Sequence, residues 1–97
     1  MIVLDAGTGA EAARLPLCAD PDDVFVDARR HRLYVACGSG QLAVFEAVAG
    51  GYALNAEIPT AKGARTALFA PDLDLLFVAA RAAGGRGAEV LVFRPQP

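Results

Sequence analysis

The 97-residue sequence predicts an all-β fold, on three observations. Short apolar runs rich in Val, Leu and aromatic residues are bounded by Gly, Pro and Asp clusters. The chain is internally repetitive, which constrains the fold more than any single segment does. No stretch has the length and periodicity of a helix. The two Ala-rich stretches that compete for helix, residues 9–14 and 81–83, are short and have Gly beside them.

The repeat is explicit. Val24-Phe25-Val26-Asp27-Ala28-Arg29-Arg30-His31-Arg32-Leu33-Tyr34-Val35-Ala36 reads as strand, polar turn, strand. Ala67-Leu68-Phe69-Ala70-Pro71-Asp72-Leu73-Asp74-Leu75-Leu76-Phe77-Val78-Ala79 repeats it about 43 residues later. A second unit occurs three times, at Met1–Asp5, Leu42–Glu46 and Val90–Arg94, each an apolar run ending in a charge. The first two lead through the Gly-bearing turns Ala6–Gly9 and Ala49–Gly51 to further strands at Ala13–Leu17 and Leu54–Ile58. Pro16 cannot donate to a ladder, which puts the strand over 13–17 at a sheet edge.

A period of about 41 to 48 residues fits the four-stranded blades of a β-propeller. In order, the expectation is the last two strands of one blade (residues 1–18), a complete antiparallel blade (22–59) and three strands of the next (65–95). A half blade, a whole one and three-quarters of another make a partial propeller, expected to be the C-terminal part of a larger one. Propellers close with about four to eight blades around a channel. Two blades alone leave two apolar faces bare, so the expected partners are missing blades or further copies of the chain.

Bulk properties exclude several classes. Hydrophobic residues make up 55% and charged residues 21%, which rules out simple disorder. The net charge of −2 advertises no basic face for nucleic acid. No apolar run approaches the length of a membrane helix. The N-terminus lacks the basic start and apolar stretch of a signal peptide.

Arg32-Leu33-Tyr34-Val35-Ala36 with Gly40–Phe45, and Pro59–Thr66 with Leu76-Phe77-Val78-Ala79, resemble the YVTN-type propeller repeats of bacterial YncE-like proteins. Tyr34-Val35-Ala36-Cys37 and Phe77-Val78-Ala79-Ala80 stand where that family has its namesake tetrapeptide. The resemblance implies a propeller scaffold and leans towards a periplasmic or secreted protein. It transfers no catalytic residue, and the fold hosts many functions.

The functional expectation is therefore a non-enzymatic module binding a small anionic ligand or a protein. The alternative is the tail of a lactonase-like or quinoprotein-like propeller enzyme whose catalytic residues lie in other blades. In a blade, the loops after the outermost strand and between the second and third strands share one end. That would gather Asp22, Asp23, Lys62, Arg65, Arg81 and Arg86 into a charged rim, with Arg forks suited to carboxylate or phosphate. Charged loops are also ordinary solvated surface.

Asp20, Asp22 and Asp23 lack the Gly turn and distant Glu of a Ca²⁺ loop, so no metal is assigned. No cofactor motif occurs: Gly84, Gly85 and Gly87 have neither dinucleotide-binding nor P-loop spacing. His31, the only histidine, is expected to be exposed in a turn with no acid or nucleophile partner in reach, and Arg29-Arg30-His31-Arg32 reads as a solvated basic turn. Cys18 and Cys37 fall at strand ends that antiparallel pairing brings together. They are either disulfide-bonded or two thiols.

Overall fold

A computed structural model describes all 97 residues as nine strands with no helix. The strands are β1 (Ile2–Leu4), β2 (Glu11–Arg14), β3 (Pro21–Asp27), β4 (Arg32–Cys37), β5 (Gln41–Val48), β6 (Gly51–Pro59), β7 (Thr66–Ala70), β8 (Leu75–Ala80) and β9 (Glu89–Phe93). They form three antiparallel sheets of two, four and three strands, in the orders β1-β2, β3-β4-β5-β6 and β7-β8-β9. Every neighbour in a sheet is also a neighbour in sequence, so each sheet is a meander.

The three sheets stack, and the middle one is covered on both faces. Period-two alternation assigns its side chains. Leu33, Val35, Cys37, Ala43 and Phe45 face the first sheet; Met1, Leu15 and Leu17, from the segments flanking β1 and β2, pack against them together with Tyr52 of β6. Tyr34, Leu42 and Val44 face the third sheet and pack with its Phe69 and Leu76. Burial on both sides explains why β4 reads as the continuous run Leu33-Tyr34-Val35-Ala36-Cys37 rather than as an alternating strand. A smaller cluster, Ala61, Ala64, Val78 and Ala80, seats the loop after β6 on the third sheet.

The repeat is visible in backbone conformation. The β3–β4 turn ends at His31 with φ 56°, and the β7–β8 turn ends at the equivalent Asp74 with φ 55°. Left-handed backbone is uncommon outside glycine. Its occurrence at matched positions marks the two turns as one structure built twice.

Two expected boundaries move. The strand placed at 13–17 runs instead over Glu11–Arg14, and Pro16 lies in the connection beyond it. That follows from the missing proline N–H, which makes continuation of the ladder unfavourable. The middle sheet begins at Pro21, so Asp22 and Asp23 sit on a strand rather than in a loop.

Candidate functional site

Turns and strand ends of the middle and third sheets create two polar regions, one at each end of the strands. At the end where β3 and β7 begin lie the residues expected to form the charged rim. Arg65 donates from Nε and Nη2 to Asp20 Oδ2 at 2.9 and 2.7 Å. Gly38 makes room for this pair: a Cβ there would overlap the Asp20 carboxylate and stand 3.1 Å from Arg65 Nε. Gly63, with φ 84°, similarly underlies the Arg81 guanidinium, which would lie 2.8 Å from an added Cβ.

Asp22, Arg65 and Arg81 line one cleft with Glu89 and Thr66. The other rim candidates are employed elsewhere or stand apart. Asp23 Oδ2 accepts the backbone N–H of Ala67 at 2.8 Å and so ties β3 to β7. Arg86 donates to the Arg81 carbonyl at 3.2 Å and lies 3.9 Å from Glu89. Lys62 is exposed and makes no ion pair. The cleft thus carries both signs of charge, two carboxylates and two guanidinium groups.

At the opposite end is a network at residues whose sequence has the character of a solvated turn. Asp27 ends β3 and is 2% exposed. It accepts the Tyr34 hydroxyl at 2.7 Å, the Arg30 backbone N–H at 3.1 Å and Arg30 Nη1 at 3.0 Å. Arg30 reaches across the sheets to Asp74, donating from Nη1 and Nη2 at 2.7 Å each. The bidentate fork clasps the β3–β4 turn to the β7–β8 turn.

Electrostatics follow from that geometry. Burial pushes the Asp27 carboxyl up, but the bonds from Tyr34 and Arg30 outweigh it and hold it below the usual carboxylate range. The Arg30 bond likewise lowers Asp74, with Arg29 and Arg94 adding to the effect. Burial and the Asp27 carboxylate push the Tyr34 phenol up to about 12. The sequence signal for the clasp was faint: an Asp at a strand end, and an Arg and an Asp 44 residues apart in corresponding turns.

Cys18 and Cys37 are joined by a disulfide with Cα atoms 6.0 Å apart. It fixes the segment after β2 to the end of β4. No three His, Cys, Asp or Glu side chains cluster in a way that would hold a metal ion, and His31 is exposed in its turn.

Two apolar regions are also open. A groove of about 450 Å³ between the first and middle sheets is lined by Ile2, Leu4, Leu17, Val24, Leu33 and Val35 among others. The outer face of the third sheet exposes Leu68, Val90 and Val92. Comparison of the chain with family models, with curated proteins and with solved structures yields no match.

Proposed function

We propose that this chain is part of a β-propeller of the kind that YVTN-type repeats build, and that it serves as a binding module rather than an enzyme. The observation that carries the reading is the match between covered and bare positions. Phe25, Tyr34, Leu42 and Val44 of the middle sheet pack against the third sheet. Their counterparts by the repeat are Leu68, Phe77, Val90 and Val92 on the third sheet. Three of these four are more than half exposed, at 57%, 60% and 55% for Leu68, Val90 and Val92.

An apolar face at repeat-equivalent positions is the surface a further sheet of the same type would cover. A second bare surface supports the same reading. On the other face of the middle sheet Val24 and Val26 are exposed at 61% and 67%, and Val24 lines the groove beside β1. The far edge of β9 is unpaired.

In such a ring, β3 and β7 are innermost, and the cleft of Asp22, Arg65, Arg81 and Glu89 opens beside the channel mouth. Its mixed charge suits a zwitterionic or polar ligand, or a protein loop carrying both signs. Electron microscopy of the species the chain forms at high concentration tests the architecture. Closed discs with a central channel are expected. Open fibres with sheets stacked along one axis would overturn the propeller reading.

A further inference from the structure

We propose that the open edge of β9 takes up an extended strand of a partner protein, of the pattern Ala-charged-Leu/Ile-Pro, in antiparallel register. The chain itself shows twice what such an edge accepts. Met1–Asp5, Leu42–Glu46 and Val90–Arg94 are three copies of one strand, and the pairing of Phe77 with Val92 repeats that of Tyr34 with Val44. β1 and β5 each pair with the strand that follows them, whereas the equivalent edge of β9 is unpaired.

The two covering strands are alike in sequence and in register. Ala13 lies opposite Val3 and Arg14 opposite Ile2, as Ala56 lies opposite Val44 and Glu57 opposite Ala43. Next, Leu15 and Met1 exchange backbone hydrogen bonds at 2.7 and 2.9 Å, and Ile58 stands opposite Leu42. A proline follows in both, Pro16 and Pro59. By period two the Ala and the aliphatic residue share a face. In the middle sheet that face packs, through Ala56 and Ile58, on the cluster that holds Leu42 and Val44.

Transferred to β9, the pattern sets Ala opposite Val92, the charge opposite Leu91, the aliphatic residue opposite Val90 and Pro opposite Glu89. Val90 and Val92 are 60% and 55% exposed, against 2% and 7% for Leu42 and Val44. An incoming strand would therefore cover apolar surface while it satisfies the backbone groups of the edge. Glu89 sets the sign of the charge. It shares a face with Leu91 and lies diagonal to the charged position, within reach of a long side chain, so Arg is preferred to Glu there. In a second copy of the chain the segment with Arg14 is already paired with β1, so the occupant is a segment of another protein. The inference rests on the repeat and the strand registers and not on ring closure, so it is tested separately from the disc architecture.

Fluorescence anisotropy of a labelled peptide with the sequence of Glu11–Leu17, titrated with the intact chain, tests this. Saturable binding is expected. Methylating the peptide's backbone nitrogen at Leu15, which faces the edge, should weaken binding about tenfold. Methylating it at Arg14, which faces away, should leave binding unchanged. Arg14→Glu in the peptide should weaken binding to the parent chain about threefold and strengthen binding to the Glu89→Lys chain by a similar factor. The Glu89 side chain is 49% exposed and its nearest cation, Arg86, is 3.9 Å away, so an unchanged melting temperature is expected of Glu89→Lys. Absence of saturable binding, equal loss from both methylations, or the same charge preference in Glu89→Lys overturns the proposal. Loss of self-association in an intact Arg14→Glu chain, whose outer face is unaltered, would show that β2 of a second copy holds the edge, and overturns it too.

Discussion

Asp27 concentrates the energetic demands of this fold at one residue. A buried carboxylate is tolerated only when its oxygens are fully engaged, and here a phenol, a backbone N–H and a guanidinium engage them. Asp27→Ala leaves Tyr34 and Arg30 without that partner and should cost on the order of 3 kcal/mol in urea denaturation. Tyr34→Phe removes one hydrogen bond and should cost only about 1 kcal/mol. The pH dependence has a definite sign. Asp27 and Asp74 titrate below their ordinary 3.8 in the folded chain, so their stabilisation is complete above that pH. It is lost as pH falls below about 3.8, and Asp74→Asn should flatten that part of the profile. Tyr34 has the opposite sense: its phenol is raised from 10.0 to about 12, so stability declines as pH rises between those values. In Tyr34→Phe the alkaline decline should shrink. None of this was legible at Arg30, which in sequence sits among Arg29, His31 and Arg32 as one more turn charge. Its partner lies 44 residues away, and only the stacking of two sheets brings them together.

Strands were legible because apolar runs and turn residues are local signals. The β4 and β8 runs, the turn at Pro71–Asp74 and the three copies of the charge-terminated strand all carry their own evidence. Sheet membership was legible through the repeat. The start of β3 was not, because Pro21, Asp22 and Asp23 are residues of turns, and pairing with Ala36 and Cys37 overrides that preference. This misplacement moved Asp22 and Asp23 from loop to strand, so Asp23 bonds to β7 instead of facing a ligand. The first sheet is the element with least to hold it. Its two strands have three and four residues, and the disulfide Cys18–Cys37 anchors the chain just after them. The cross-link spans a sequence separation of 19, for which loop-closure entropy gives about 3 kcal/mol. Replacing both cysteines by serine should lower stability by about that amount. In hydrogen exchange, β1 and β2 should lose protection before β4 and β5 do.

The whole molecule is an elongated stack of three sheets. Its extents are 47 × 27 × 20 Å and its radius of gyration is 14.1 Å, against about 12.5 Å for a compact domain of this length. The accessible surface of 5874 Å² likewise exceeds the roughly 5200 Å² usual for the mass. Only 17 of the 97 residues are buried, and most of them lie in the middle sheet or at its contact with the third. The polar clasp is not repeated on the outer face of the third sheet. Ala70, Leu73 and Phe77 stand there where Asp27, Arg30 and Tyr34 stand in the middle sheet, so whatever covers that face meets an apolar surface. Leu68→Asp and Val92→Asp, both on this exposed face, should therefore reduce association while changing monomer stability little.

The central claim is that these three sheets are built to continue into others, and sedimentation velocity of the intact chain over a range of concentrations tests it most directly. The account predicts a mass that rises above the 10.0 kDa of one chain as concentration increases, and returns towards it in Leu68→Asp. A soluble species that stays at 10.0 kDa at every concentration would contradict it.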